Sequence, residues 1–117
     1  DINKSRVLVM GATFKEDVED IRNSKVADVI NEFKSYGVKT EVTDPHADSK
    51  ELQHEYGFEL VEKIGTGYDA VVIAVNHKEY LNVDEKYLLT ICNPDAVIVD
   101  LKGILRGKIH QLKYWSL

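Results

Sequence analysis

The sequence lacks several features that would place it in other classes of protein. It has a single cysteine, Cys92, which excludes an internal disulfide and favours a reducing compartment. No apolar run approaches the ~20 residues of a membrane-spanning helix, and the opening residues lack the pattern of a secretion signal. The net charge of −5 disfavours nonspecific binding to nucleic acid or anionic membranes, because both attract basic surfaces. We therefore expect a cytoplasmic protein.

A glycine-rich cofactor loop is also missing. Gly11 follows the apolar run at 7–10, as expected of a buried strand that turns towards a helix. The next residues are Ala12, Thr13 and Phe14, so the further glycines of G-x-G-x-x-G are absent. That motif needs its second glycine for close backbone approach to a pyrophosphate. The sequence therefore argues against a self-contained NAD site.

The length and the single methionine bear on the domain organisation. The 117 residues are enough for one domain with one hydrophobic core. Met10 is the only methionine and lies inside the first predicted strand, while the chain opens with Asp1. We expect residues 1–117 to be one domain cut from a longer polypeptide.

Apolar runs alternate with helical patterns along the chain. The predicted strands cover residues 6–10, 38–43, 70–75 and 96–99, and the predicted helices cover 25–36, 49–56 and 84–91. Residues 93–94 are predicted to form a turn, and residues 108–117 are predicted to form a short aromatic tail. Because strands and helices alternate, we predict an α/β fold of three layers, Rossmann-like, with a mainly parallel sheet and helices on both faces.

The stretch after the first strand carries the strongest functional signal. Lys15 and Arg22 follow that strand and are separated by a short acidic loop. The carboxyl edge of a parallel sheet also presents free backbone N–H groups. Cations and open amides at one edge favour an anionic ligand, most simply a phosphate.

The same stretch resembles a known family. The pattern G-x-x-F-K-x-x-x-x-D-x-R-x-S runs from Gly11 to Ser24. It resembles the opening of the C-terminal, UDP-binding domain of the UDP-glucose/GDP-mannose dehydrogenases. The string TFKEDVEDIRNSKV, residues 13–26, is most similar to the branch that oxidises UDP-N-acetylhexosamines. The resemblance continues through Asp44-Pro45, His77-Lys78 and the run from Asp100 to Gly103.

The resemblance implies roles for individual residues. Phe14 and Lys15 would contact a UDP-sugar held between this domain and a catalytic domain. Family members commonly carry an arginine near Lys102 that contacts the nucleotide, so Lys102 or Arg106 would take this role. Arg22 would reach the NAD of a neighbouring domain. The residues alone leave an alternative for Arg22, an ion pair with a nearby acid such as Asp20.

The resemblance also implies the activity of the longer protein. It would be an NAD-dependent UDP-sugar 6-dehydrogenase that takes two hydrides from C6, as in making uronic acids for capsule or other surface polysaccharide. NAD and the catalytic cysteine would belong mainly to preceding domains, and the full protein would be a homodimer. We expect this chain alone to contain no catalytic residue and to be inactive.

Other chemistry-bearing residues favour structural roles. Asp44, His46 and Asp48 alternate, but the chain offers no further ligand at a zinc spacing, and calcium needs more oxygen ligands. We therefore predict a turn with an Asx cap and no metal. Cys92 lies at a helix end without a nucleophile signature, so it is expected to be structural. His77 follows the strongest strand and is expected at the binding edge.

Two other classes of function stay open. A stand-alone nucleotide- or CoA-binding module on the same fold would need a phosphate-cradling glycine pattern. A response-regulator-like signalling domain would need an acidic pair after the first strand and an aspartate after the third. Gly11-Ala12 and Asn76-His77 stand at those positions instead. Fold alone separates none of these classes.

Overall fold

The protein is built on a five-stranded sheet. The computed structural model describes residues 4–13, 17, 19–22 and 24–116. Within these ranges the elements are β1 (Arg6–Met10), α1 (Lys25–Ser35), β2 (Lys39–Thr43), α2 (Ser49–Tyr56), β3 (Tyr68–Ile73), a 3₁₀ helix (Lys78–Asn82), α3 (Glu85–Ile91), β4 (Cys92–Asp100) and β5 (Lys113–Ser116). The sheet order is β2-β1-β3-β4-β5, and every pairing is parallel. Each described helix is too short or too polar to span a bilayer.

Alternation along the strands divides the core between the two faces of the sheet. Val9 of β1 is in register with Val42 and Val72, and these pack with residues of α1 and α2. Leu8, its neighbour in sequence, faces the other side and packs in the cluster that contains Leu88 of α3. Successive side chains of a strand point to opposite faces, so a fully apolar strand fills both cores. The predicted α/β fold with helices on both faces is confirmed.

Helix α1 differs in detail from its predicted pattern. The helical spacing of the apolar residues predicts that Val29 faces inward with Ile30, but Val29 is 41% exposed, whereas Ala27 and Ile30 are fully buried. Ser24 stands where a serine commonly caps a helix, yet its side chain makes no capping hydrogen bond. The backbone N–H of Ser24 instead donates to the Tyr56 hydroxyl at 3.3 Å. The Tyr56 hydroxyl of α2 therefore holds the residue that precedes α1.

The last two strands depart most from prediction. β4 begins at Cys92 and passes through Asn93-Pro94, which were predicted to form a turn. The register with β3 shifts between the pairs Tyr68–Cys92 and Ala70–Val97, and proline is tolerated at such an irregularity. The predicted aromatic tail contains β5, which pairs in register with the end of β4.

Two distant carboxylates hold the segment that forms β5. The Glu85 carboxylate accepts backbone N–H bonds from His110, Gln111 and Leu112 at 2.7–3.0 Å. The buried Asp100 carboxylate accepts the Tyr114 hydroxyl at 2.6 Å. Because these contacts span up to 27 residues, local sequence patterns did not predict the strand.

Candidate functional site

The sheet order creates a crevice at the carboxyl ends of β1 and β3. The chain leaves β1 towards β2 on one side, while β3 lies on the other side of β1. In open α/β sheets, ligands bind outside the carboxyl ends of strands at such a switch point. The residues that follow β1 and β3, including Thr13 and His77, therefore lie at the edge where a ligand is expected.

Asp44, which follows β2, connects the chain segments that follow β1 and β3. Its side chain is fully buried. Oδ2 accepts the Ala12 backbone N–H at 2.6 Å and lies 2.9 Å from His77 Nε2. Oδ1 accepts the backbone N–H groups of His46 at 2.7 Å and Ala47 at 3.0 Å. The predicted Asx turn is present, and the same carboxylate also connects the loops after β1 and β3.

His77 completes this buried network. The residue has no exposed surface. Its Nδ1 accepts the backbone N–H of Asp17 at 2.8 Å, while Thr13 Oγ1 lies 3.2 Å from Nε2. A nitrogen that accepts an N–H carries no proton, so the proton of the neutral ring is on Nε2, which donates to Asp44. His77 stands at the predicted edge, but its burial and its role as a link between loops were not predicted.

Asp17 connects the loop after β1 to the 3₁₀ helix. Its backbone has a φ of 59°, in the left-handed region. Its carboxylate accepts the Lys78 backbone N–H at 2.7 Å. The loop is thus held from both sides at the point where it meets the His77 ring. Phe14 and Lys15, the predicted UDP-sugar contacts, lie outside the described residues.

Arg22 forms an ion pair with Asp20 at the surface. Its Nε and Nη2 lie 3.1 and 3.0 Å from the two Asp20 carboxylate oxygens, and the Arg22 side chain is 83% exposed. The Asp20 carboxylate also accepts the Arg22 backbone N–H at 2.9 Å. Hydrogen bonds from Arg22 lower the pKa of Asp20. The guanidinium that was predicted to reach NAD is held on the outside of the domain.

The cations after β4 are also on the surface. Lys102 and Arg106 are both exposed, and Arg106 Nη2 lies 3.3 Å from Ser116 Oγ. Asp100, the last residue of β4, is fully buried and accepts the N–H groups of Ile104 and Leu105. Asp100 therefore shapes the turn that presents Lys102 and Arg106.

The acidic and histidine residues predicted to form a turn do not gather into one metal-ligand set. Asp48 caps α2 by accepting the N–H groups of Lys50 and Glu51. A different group in the described part of the chain, Asp17, His46 and His77, has ligand atoms within 4.8 Å of one another. His77 already uses both nitrogens in hydrogen bonds. It would have to give one up to bind a metal.

Sequence reasoning missed an apolar cavity of about 320 Å³ beside this network. It is lined by Met10, Thr43, Asp44, Pro45, Ile64, Glu79, Tyr80, Asn82, Val83 and Tyr87. Burial raises the pKa of Tyr80, whose hydroxyl donates to the Thr43 carbonyl at 3.4 Å. The spacing of apolar residues in α3 predicts that Tyr87 faces inward, but Tyr87 is exposed and forms part of the cavity wall. The spacing of Tyr80, Val83 and Tyr87 was the available signal.

Cys92 is partly buried at the junction of α3 and β4. Burial raises the pKa of its thiol to about 11, so it is protonated at neutral pH. A protonated, partly buried thiol is a poor nucleophile.

The fold is a Rossmann-like α/β domain with a crevice at the switch point of its sheet. A family model described as the UDP-glucose/GDP-mannose dehydrogenase family, UDP binding domain, matches residues 8–107. The chain therefore belongs to the UDP-glucose/GDP-mannose dehydrogenase family, and the matched part is its UDP-binding domain.

Relatives and solved structures agree with this assignment. The chain is 36% identical over 105 residues to a UDP-N-acetyl-D-glucosamine 6-dehydrogenase from Pseudomonas aeruginosa, covering 89% of this chain and 25% of that protein. It is 30% identical over 110 residues to a UDP-N-acetyl-D-mannosamine dehydrogenase from Methanococcus maripaludis, covering 92% and 25%. It thus spans about a quarter of the length of the curated relatives it matches.

The structural comparison supports the fold. An NDP-N-acetyl-D-galactosaminuronic acid dehydrogenase from Methanosarcina mazei aligns with a TM-score of 0.80 at 20% identity, covering 96% of this chain and 24% of that one. The UDP-N-acetyl-mannosamine dehydrogenase Cap5O from Staphylococcus aureus aligns with a TM-score of 0.74 at 23% identity, covering 96% and 26%. At identities this low, the likeness shows the fold alone.

Proposed function

We propose that residues 1–117 are the nucleotide-holding C-terminal domain of an NAD-dependent UDP-sugar 6-dehydrogenase. The observation that carries the proposal is the match of residues 8–107 to the UDP-binding domain of the family. The motif from Gly11 to Ser24 begins at the switch-point crevice, where the fold favours an anionic ligand. The substrate would be a UDP-N-acetylhexosamine or UDP-glucose, and its product would serve a capsule or another surface polysaccharide.

The chemical step would take place outside this chain. Oxidation of C6 to a carboxylate through a thioester needs an activated thiol, and the thiol of Cys92 has a raised pKa. Hydride transfer needs an oriented nicotinamide, which NAD would supply. The residues after β1 do not fit an NAD cradle, because the buried Thr13 stands where the motif needs a glycine for close backbone approach to the pyrophosphate. The share of this domain would be to hold the UDP-sugar in a reactive position.

The full protein would combine this domain with NAD-binding and catalytic domains and would form a homodimer. A cytoplasmic location remains a prediction from the sequence. A signalling role has no support at the site, because Gly11-Ala12 and Asn76-His77 occupy the positions where it would need acids.

Titration of the full-length protein with UDP tests the proposal directly. No detectable UDP binding would contradict it.

Lys15→Ala in the full-length protein is expected to raise the KM for the UDP-sugar about tenfold or more, because a charge-assisted hydrogen bond contributes roughly 1.5–3 kcal/mol. Steady-state kinetics with the UDP-sugar varied would measure the change. Lys50→Ala, on the exposed side of α2, is the matched control and should leave the KM unchanged. Unchanged kinetics for Lys15→Ala would remove this lysine from the site.

Arg22→Ala is expected to raise the KM for NAD several-fold, since a guanidinium that contacts the cofactor would be lost. Asp20→Asn is the informative comparison, because it weakens the surface ion pair while keeping the arginine. If Arg22 contacts NAD, only Arg22→Ala should raise the KM. A normal KM for NAD in Arg22→Ala would favour the ion pair as its whole role.

A further inference from the structure

The ring of His77 contacts the chain at both ends of the segment that contains Phe14 and Lys15. Thr13 Oγ1 lies 3.2 Å from Nε2, at the point where the loop begins. The backbone N–H of Asp17 donates to Nδ1 at 2.8 Å, at the point where the loop ends. The ring therefore connects Asp17, where the segment ends, to the part of the chain where the segment begins.

The His77 ring cannot easily move, because the buried Asp44 carboxylate also binds it. Its Nε2 donates to the buried Asp44 carboxylate at 2.9 Å, and that carboxylate also accepts the Ala12 N–H. The neighbouring His46 ring lies 4.6 Å away between centroids. The Asp17 carboxylate in turn accepts the Lys78 N–H, next to His77. Buried hydrogen bonds on both nitrogens fix the position of the ring and its tautomer.

These hydrogen bonds restrict the choice of side chain at position 77 more than packing alone would. A side chain there must accept an N–H on one side and donate to a carboxylate on the other, at full burial. Neutral imidazole does both, whereas an apolar residue does neither. We propose that His77 is a positioning residue for the UDP-sugar site: it fixes where the chain leaves the segment with Phe14 and Lys15, while the Ala12 N–H bond to Asp44 holds the start of that segment. The inference rests on the proposed function, because it acts through those two residues.

Two amide substitutions separate the two hydrogen bonds of the ring. The amide nitrogen of glutamine falls near the place of Nε2, so His77→Gln keeps the donor to Asp44 and loses the acceptor for Asp17. The amide oxygen of asparagine falls near the place of Nδ1, so His77→Asn keeps the acceptor for Asp17 and loses the donor to Asp44 and the contact with Thr13. The start of the segment stays held in this variant, because the Ala12 N–H still bonds to Asp44. Each variant therefore removes one half of the network.

The expected results differ between the variants. In the full-length protein, His77→Gln should raise the KM for the UDP-sugar about five- to tenfold with little change in kcat, as for one lost hydrogen bond. The Asp17 amide should exchange its hydrogen faster by a similar factor. His77→Asn should keep the KM and the Asp17 protection near those of the wild type, while unfolding at a lower urea concentration. His54→Gln, on exposed α2, is the matched control and should change none of these readouts.

The outcomes distinguish this proposal from the function on which it rests. Wild-type UDP binding together with an unchanged KM in His77→Gln would overturn the positioning role alone. Equal losses in both variants would show that residue 77 acts only through stability and would overturn it as well. A wild-type protein that binds no UDP would remove the proposed function, and the positioning role with it.

Discussion

Gly11→Ala is expected to lower the free energy of unfolding by about 4 kcal/mol, through backbone strain and overpacking together. Gly11 has a φ of 105°, a conformation that residues with a side chain rarely adopt. An added Cβ would lie 2.8 Å from the Val75 Cβ and 2.9 Å from the Val75 backbone nitrogen. The backbone nitrogen cannot rotate away, so the loops after β1 and β3 would have to separate. Urea unfolding followed by circular dichroism would measure the loss.

Gly57→Ala provides the control for the strain alone. Gly57 also has a positive φ, 84°, but a Cβ added there would meet nothing within 4 Å. We expect a loss of only about 1 kcal/mol in that variant. If the two variants unfold at the same urea concentration, the contact with Val75 does not limit residue 11.

Asp44→Asn is expected to lower the free energy of unfolding by about 3 kcal/mol, from two charge-assisted hydrogen bonds at roughly 1.5 kcal/mol each. Asparagine can place its oxygen towards the N–H groups of His46 and Ala47. Its amide group then faces the Ala12 N–H and the His77 Nε2–H, so donors meet donors inside the protein. Buried donors without acceptors are costly because water cannot replace the lost partner.

Asp48→Asn controls for the chemical change in Asp44→Asn. Asp48 also accepts backbone N–H groups, but it is exposed and caps α2, where asparagine serves almost equally well. Its midpoint of urea unfolding should stay near that of the wild type. The Asp44 midpoint should fall by about 1 M or more, given usual urea slopes. Equal midpoints in the two variants would contradict the structural role of Asp44.

Elements with local signals could be predicted from the sequence. The bounds of α2 match the prediction at both ends, because Asp48 caps its start and Gly57 stops it. β1 also matches, since a short apolar run ends at a glycine. β5 could not be predicted, because its position depends on Glu85 and Asp100, both distant in sequence. The strand propensity of Lys113–Ser116 does not depend on those contacts, so it could not reveal them.

The candidate site, like the fold, could be predicted only in part from the sequence. The sequence placed His77 at the carboxyl edge and Asp44 in an Asx turn, and the structure has both there. That these two residues bond each other could not be foreseen, because they are 33 positions apart. The roles of Phe14, Lys15, Lys102 and Arg22 at the ligand remain predictions. The kinetics of Lys15→Ala and Arg22→Ala test two of them.

The sequence by itself determined the alternation of strands and helices, the edge of the sheet where ligands are expected and the family of the chain. These depend on periodicity, turn residues and a motif of neighbouring positions, all of which are local. Only the tertiary structure decided which polar side chains are buried and which partners satisfy them. Strand order brings the ends of β1, β2 and β3 together, and burial there makes Asp44 and His77 depend on each other.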